Sequence, residues 1–420
     1  VRILDLTAIY PSQAIDFEGR SVASLNRAWA DAGLQVTTLV LRQWLPYWVA
    51  RRIPAYHHLA VLDGITDEKG VKVVCSHYPH LPHVPRLPER FRTSLNINLM
   101  AKRALKLCRQ LNLAGDLIHA EGIIVGLAGA VVAKRLGLPL FITLRDDLGH
   151  LISSPEQVSE PIYQRLFSQT AAFFCIGPAQ MHDLPQLLPA TNPPESVLAP
   201  NGIDIQTLQS QIAQFPPHRA EFSGRIVSVS NLHARWKGIH ENLWAMRKLI
   251  ERGIADWHYT IVGDGRYRPE LEQMVQELGL GGHVTFTGGL PHIEALRKIY
   301  DADIFCLPSF MEAFGNVFAE AALCERPAIG CRDNGPEMII KEGETGLLVA
   351  PRNVEELADA LAYLLAHPEE AQRMGKAAAQ HIQQFTWART AQIYKDTFQE
   401  LASGPRLSVT VANLSGALHG

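Results

Sequence analysis

Glu312 and Glu320 stand eight positions apart with Gly315, Asn316 and Val317 between them, just after the apolar run Asp303-Ile304-Phe305-Cys306-Leu307. A strand over that run, ending at Pro308-Ser309, puts Glu312 on the loop at its carboxyl end and lets the next helix start near Asn316. Ligands of open parallel sheets bind outside the carboxyl ends of strands. Gly315 removes a side chain where backbone must come close to something. The unpaired N–H groups of Gly315, Asn316 and Val317 at a helix start favour an anion through their donors and the helix dipole. Glu320, about one turn further on, is placed to aim a carboxylate at a diol. An anion-binding helix end flanked by two hydroxyl-binding carboxylates suits a sugar nucleotide.

The surrounding elements must hold that arrangement. In the first half, residues 1–6 form a strand candidate, and Val22, Leu25 and Trp29 recur at helical spacing until Gly33. Short apolar runs occur next at 36–40, 117–119, 139–144, 173–176 and 196–199, with a Gly/Ala-rich helix expected over 122–133. A second cycle starts at 225–229, where the next helix buries Leu243, Met246, Leu249 and Ile250, and continues at 258–262, 283–286, 304–307 and 328–330. Strands alternating with helices imply parallel βαβ units. The turn at Pro200-Asn201-Gly202-Ile203-Asp204 and the later Pro216-Pro217 mark a boundary between the cycles. The expected layout is therefore an N-terminal Rossmann-like acceptor domain over 1–200, a linker over 201–220 and a C-terminal Rossmann-like nucleotide-sugar-binding domain over 221–385. A helix over 386–402 is expected to pack back on the first domain, and 403–420 to form a tail.

Composition bounds the rest. The 420 residues suffice for two domains. A 47% hydrophobic and 19% charged chain is globular, and a net charge of −3 gives no field that attracts nucleic acid. No apolar stretch reaches the roughly 18 residues of a membrane span. Because residues 1–6 read directly as a strand, no cleavable leader is expected. Cys75, Cys108, Cys175, Cys306, Cys324 and Cys331 form no Cys-x-x-Cys pair, so they are read as reduced core residues of a cytoplasmic protein rather than a zinc site. His57, His58, His77, His80 and His83 lack carboxylate partners at ligand spacing and are read as loop or surface residues.

Residues 41–110 differ from the rest and are read as a long loop. Trp44-Leu45-Pro46-Tyr47-Trp48-Val49 leads into Arg51-Arg52, and from Arg42 to Arg109 there are twelve Lys or Arg against four Asp or Glu. Aromatic residues beside clustered basic ones suit peripheral contact with an anionic lipid surface.

The run from Pro308 to Gly330, PSFMEAFGNVFAEAALCERPAIG, resembles the Glu-x7-Glu signature of the large retaining glycosyltransferase family with the GT-B fold. Further segments carry the resemblance in order. Asn201-Gly202-Ile203-Asp204 is similar to the family's interdomain linker, and Thr260-Ile261-Val262-Gly263-Asp264-Gly265 to its Val-Gly-x-Gly turn. Val284-Thr285-Phe286-Thr287-Gly288 is similar to the stretch that meets the base. Asn334-Gly335-Pro336-Glu337 and Gly343-Glu344-Thr345-Gly346-Leu347-Leu348-Val349 resemble the family's segment on the C-terminal side of the signature. The resemblance implies an α/β protein of two Rossmann-like, doubly wound parallel-sheet domains facing a central cleft.

It also implies roles. Glu320 would bond the donor ribose. Glu312 would sit near the transferred sugar, with Phe314, Gly315, Asn316 and Val317 contacting sugar and diphosphate. Lys237, in Trp236-Lys237-Gly238, matches the lysine that neutralises the diphosphate; Gly263, Thr287 and Gly288 fall in the donor-binding stretches. Gly19 comes after the first strand in the loop over the donor phosphates. Arg145 and Asp147 resemble the segment facing the donor sugar, although Arg145-Asp146-Asp147 is one residue shorter than Arg-Gly-x-Asp. Asn231, in Ser230-Asn231-Leu232, stands where the family often has a phosphate-binding arginine; Arg235 and Arg266 are the nearby arginines. The implied enzyme is a retaining hexosyltransferase that needs no metal. It takes a UDP-, GDP- or ADP-sugar to a glycan or lipid-linked acceptor, as in envelope polysaccharide synthesis. A nucleotide-sugar epimerase, or a weakly catalytic relative acting as a binding module, is the alternative.

Overall fold

A computed structural model of the protein describes residues 1–11, 19–44, 64–81, 88–145, 148, 161–187, 193–217 and 221–403. The chain divides into two units. One comprises Val1–Ile176, Gln180–Gly202 and the chain from Trp387 onward; the other is Ile203–Thr386 with the short piece Gly177–Ala179.

The first unit is built on β1 (Arg2–Thr7), β2 (Gln35–Trp44), β3 (Gly64–Glu68), β4 (Val71–Pro79), β5 (Leu117–Glu121), β6 (Leu140–Leu144), β7 (Thr170–Cys175) and β8 (Glu195–Leu198). Their order is β3-β4-β2-β1-β5-β6-β7-β8, parallel throughout except for β3, which runs antiparallel to β4 at the edge. Strands such as Leu117–Glu121 and Leu140–Leu144 are buried along their whole length, as a sheet covered by helices on both faces requires. The final helix, Trp387–Ser403, packs against helix Arg20–Asp31. Tyr394 stacks on Phe174 with ring centroids 3.8 Å apart, and Phe398 meets Phe141 edge-on at 4.8 Å.

The second unit has β9 (Arg225–Val229), β10 (His258–Val262), β11 (Val284–Gly288), β12 (Ile304–Cys306), β13 (Ala328–Cys331) and β14 (Gly346–Val349), all parallel, in the order β11-β10-β9-β12-β13-β14. This is the doubly wound 3-2-1-4-5-6 order, with its switch point between β9 and β12.

Three expectations are corrected. Residues 41–110 are not one long loop: they contain the β3–β4 hairpin and a 22-residue helix, Glu89–Gln110, and His77 lies on β4. The loop positions His57, His58 and His83, and the aromatic-basic run 45–52, lie outside the described residues. The 201–220 linker contains helix Ile205–Ile212, capped by Asp204, whose carboxylate accepts from the Thr207 N–H at 3.2 Å. That helix contacts helices His292–Asp301 and Asn316–Leu323 and so belongs to the second unit. Finally, β14 forms from the Gly346-Leu347-Leu348-Val349 run, one strand more than the sequence cycle showed.

Candidate active site

The switch point of the second sheet gathers the loops after β9 and β12. After β9 the chain turns through a single 3-10 turn, Arg235–Lys237, into helix Ile239–Glu251. Lys237 Nζ lies 2.6 Å from Glu312 Oε2, joining the two loops across the switch. Both side chains keep water contact, at 17% and 19% exposure, so a ligand can reach either charge. The Ser309 hydroxyl donates weakly to the same carboxylate oxygen at 3.4 Å. The loops are also tied through backbone, the Phe310 N–H donating to the Trp236 carbonyl at 2.9 Å.

The Asn334-Gly335 pair explains why the Glu312 loop holds its shape. Buried Asn334 accepts from the Glu312 N–H at 2.8 Å and donates to the Ser309 carbonyl at 2.8 Å, while the Gly335 N–H donates to the Glu312 carbonyl at 2.8 Å. A Cβ on Gly335 would stand 2.5 Å from that carbonyl oxygen, so only glycine allows the approach.

Helix Asn316–Leu323 begins next to Glu312. Gly315 enters it in the left-handed region at φ 86°, and a side chain there would also run into Phe318 at 2.7 Å. The Phe318 N–H donates to the Gly315 carbonyl at 2.9 Å, and the dipole at this helix start favours an anion. Asn316 is exposed and Val317 half-buried. Phe314 is 2% exposed and packs against Phe385, so its ring belongs to the core and only its backbone is available to a ligand. Glu320, on the same helix, places Oε1 2.9 Å from His292 Nε2. His292 opens helix His292–Asp301 after β11; sequence reasoning misses it, since a lone histidine after Gly-Leu-Pro carries no signal without the fold.

The remaining residues of this unit divide between scaffold and surface. Gly263 donates its N–H to the Gly288 carbonyl at 2.9 Å, joining the ends of β10 and β11, and the Thr287 hydroxyl donates to the same carbonyl at 2.9 Å. Thr287 also lines an open groove of about 560 Å³ with Phe215, Leu290 and Arg297, which includes none of Lys237, Glu312 or Glu320. Asn231 is exposed and accepts from the His233 N–H at 3.3 Å. Arg235 spends its charge on Glu270, and its guanidinium lies 5.6 Å from the Tyr267 ring centroid. Arg266 lies over the same ring at 4.9 Å. Among the described residues the cation that pairs with Glu312 is Lys237, and neither arginine takes that place.

In the first unit, Gly19 precedes helix Arg20–Asp31 and packs on the Ile9–Tyr10 backbone. Asp147 lies outside the described residues. Arg145 is tied down: Nε meets Glu121 Oε2 at 2.6 Å, NH2 meets Oε1 at 3.0 Å, and NH1 meets Asn201 Oδ1 at 2.6 Å. Burial by itself lowers the guanidinium's proton affinity, and the Glu121 carboxylate more than reverses it. Its charge is thus spent within the unit, holding the ends of β5 and β6 to Asn201.

Beside it runs a buried chain the sequence did not reveal. Asn26 donates to Asp5 at 2.8 Å, Asp5 meets His119 Nδ1 at 2.8 Å, His119 Nε2 meets the Thr143 hydroxyl at 2.7 Å, and Thr143 meets the Tyr394 hydroxyl at 2.7 Å. Burial pushes the Tyr394 phenol well above its ordinary range, so it stays neutral. Asp5, His119 and Glu121 have ligand atoms within 4.8 Å of one another, but the Arg145 guanidinium and these hydrogen bonds already occupy them.

Two α/β units, each built on a doubly wound and largely parallel sheet, place the chain in the GT-B class. Residues 212–381 match the family model for glycosyl transferases group 1. The chain is 27% identical over 313 residues to D-inositol 3-phosphate glycosyltransferase of Paenarthrobacter aurescens, covering 70% of this chain and 75% of that protein. It is 36% identical over 143 residues to alpha-D-kanosaminyltransferase of Streptomyces kanamyceticus, covering 34% of this chain and 37% of that one. Among solved structures, sucrose-phosphate synthase from Thermosynechococcus elongatus superposes with a TM-score of 0.71 at 20% identity, over 96% of this chain and 99% of the other. Anabaena HepE in complex with UDP superposes with a TM-score of 0.67 at 19% identity, over 95% and 100%. The chain has the GT-B fold, it is similar over residues 212–381 to glycosyl transferases group 1, and it is an enzyme of the nucleotide-sugar-dependent glycosyltransferase type.

Proposed function

We propose that the protein moves a hexosyl group from a nucleotide sugar to a glycan or lipid-linked acceptor with retention of anomeric configuration, in envelope polysaccharide synthesis. The observation that carries this reading is the Lys237–Glu312 pair at the switch point, beside the start of helix Asn316–Leu323. An arriving diphosphate competes with Glu312 for Lys237. The lysine and the helix amides then supply preorganised positive potential at the leaving oxygens, and the displaced Glu312 carboxylate turns to the hydroxyls of the transferred sugar. Glu320 accepts from the ribose. The acceptor oxygen forms its bond to the anomeric carbon on the face from which the diphosphate departs. The acceptor proton passes to the leaving phosphate oxygen, which retains configuration without a covalent enzyme intermediate.

UDP in the HepE complex supports a nucleotide diphosphate donor, and a thermal-shift panel of UDP-, GDP- and ADP-sugars identifies the base. Peripheral contact with anionic lipid on the cytoplasmic side is part of the same proposal: helix Glu89–Gln110 exposes Arg90, Phe91, Lys102, Lys106 and Arg109. Among the described residues no helix is long and apolar enough to cross a membrane. Sedimentation with anionic liposomes at low salt tests the contact, and no binding there removes it.

The central test is Glu312→Ala. Transfer should fall by about 10³-fold while the circular dichroism and thermal transition stay close to wild type. Wild-type turnover in this variant overturns the role.

A further inference from the structure

We propose that His292 is a positioning residue that holds the Glu320 carboxylate in the geometry needed to grip a ribose diol. The inference rests on the reading of Glu320 as the ribose ligand. Glu320 sits in the interior of helix Asn316–Leu323 with its side chain 17% exposed; His292, 32% exposed, reaches it from the start of a different helix, His292–Asp301. An ionised carboxylate only accepts hydrogen bonds, so at 2.9 Å the imidazole must donate from Nε2. The bond fixes Oε1 and leaves Oε2 for a ligand hydroxyl. It also removes the rotamer freedom that a glutamate loses on binding a ligand, so that less remains to be lost when the diol arrives.

The contrast with Glu312 sharpens the assignment. Glu312 is paired with the Lys237 amine, a phosphate-binding group, which suits a carboxylate that is to be displaced by phosphate. Glu320 is paired with a group that can donate one hydrogen bond while remaining neutral. That arrangement orients the carboxylate and keeps its negative charge for two hydroxyl donors. Placed at the same point, a lysine would neutralise the charge that the diol needs. His292 also joins the loop after β11 to the helix carrying Glu320, so two segments of the donor site are held in register by one bond.

The test is calorimetry on the full chain with whichever of UDP, GDP and ADP binds most tightly in the thermal-shift panel, and with its 2′-deoxy counterpart. A hydrogen bond to a charged group should make wild type prefer the ribose form by about tenfold. Glu320→Ala should erase that preference. His292→Ala should cut it to about threefold or less, and His292→Gln, whose amide can donate in the same direction, should restore most of it. His292→Leu, which fills the volume without an N–H, should behave like the alanine variant and guards against an effect of lost packing. If Glu320→Ala erases the preference while His292→Ala and His292→Leu retain it in full, His292 does not position the carboxylate. If Glu320→Ala itself keeps the preference, the underlying reading of Glu320 fails instead.

Discussion

Both sheets reverse their strand order beside the first strand of the unit, and they use these switch points in opposite ways. In the second unit the strands β9 and β12 lead into Lys237 and Glu312, each close to one-fifth exposed. In the first unit the corresponding strands β1 and β5 carry Asp5, His119 and Glu121. These are sealed beneath Trp29, Tyr394 and Phe398, with Asp5 and His119 at 0% exposure and Glu121 at 1%. Topology therefore offers a place for charge at both points, and burial decides what the charge does. A buried pair must satisfy its own hydrogen bonds and becomes a fixed part of the fold. A pair left in contact with water can exchange its partner for a ligand.

The contrast breaks most readily at Glu121. Glu121→Ala leaves the Arg145 guanidinium, 12% exposed, without its carboxylate. It should cost about 3–5 kcal/mol in urea unfolding of the first unit. A loss below about 1 kcal/mol would mean that this buried pair is no more structural than a surface one.

A third pair lies at the opposite ends of the same strands that carry the candidate site. Arg225 begins β9 and its guanidinium meets Asp303, just before β12, at 2.8 Å. Burial alone would raise the Asp303 carboxyl, but Arg225 and the Ser223 and Arg225 amides outweigh it and hold the group below its ordinary value. A depressed folded value means that the unfolded chain binds more protons. The stabilisation is therefore present above the unfolded value of about 3.9 and is lost as pH falls through the folded one. Asp303→Asn should cost about 1–3 kcal/mol at about pH 7, and its urea midpoint should converge on wild type as pH falls below about 4. Parallel curves down to about pH 2.5 would remove this pair from the acid limb of stability.

Tyr394→Phe tests the buried chain more gently. It removes a hydroxyl that meets Thr143 at 2.7 Å and keeps the ring stacked on Phe174. A loss of about 1 kcal/mol in unfolding free energy, with nucleoside diphosphate affinity unchanged, fits a scaffold role. A fall in affinity equal to that of a Lys237 variant would make the two switch points functionally alike.

The same contrast governs what the sequence could show. Strands β9, β10, β12 and β13 are short apolar runs bounded by turns, and the Glu312 loop is a local segment whose residues act near one another in the chain. The β4 strand and helix Glu89–Gln110 escaped because their inward faces carry polar residues. Buried Asn96 donates to and accepts from the Leu81 backbone at 3.0 and 2.8 Å, and Arg103 reaches the Ser76 hydroxyl at 2.9 Å, so the apolar period is interrupted where the packing is tight. The chain from Asp5 to Tyr394 joins residues from β1, β5, β6 and the last helix, and no spacing encodes such a set. Arg145 shows the reverse case: its motif suggests a ligand contact, and the folded chain adds that Glu121 and Asn201 hold its guanidinium in place.

The smallest stability effect is expected at Lys237, where the comparison is most exposed to failure. Lys237→Met keeps the aliphatic stem and removes the charge. Glu312, left without its cation, still contacts water and still holds its backbone bonds to Asn334 and Gly335, so the loop keeps its anchors. A partly exposed pair of this kind contributes about 0–1 kcal/mol, and the variant should unfold within that margin of wild type. On the proposed reading its affinity for nucleoside diphosphate should nevertheless fall at least about tenfold by calorimetry, because that reading gives the lysine a charge-assisted bond to phosphate. An unchanged dissociation constant would take Lys237 out of the donor site. A stability loss as large as that of Glu121→Ala would show instead that the second switch point is as structural as the first.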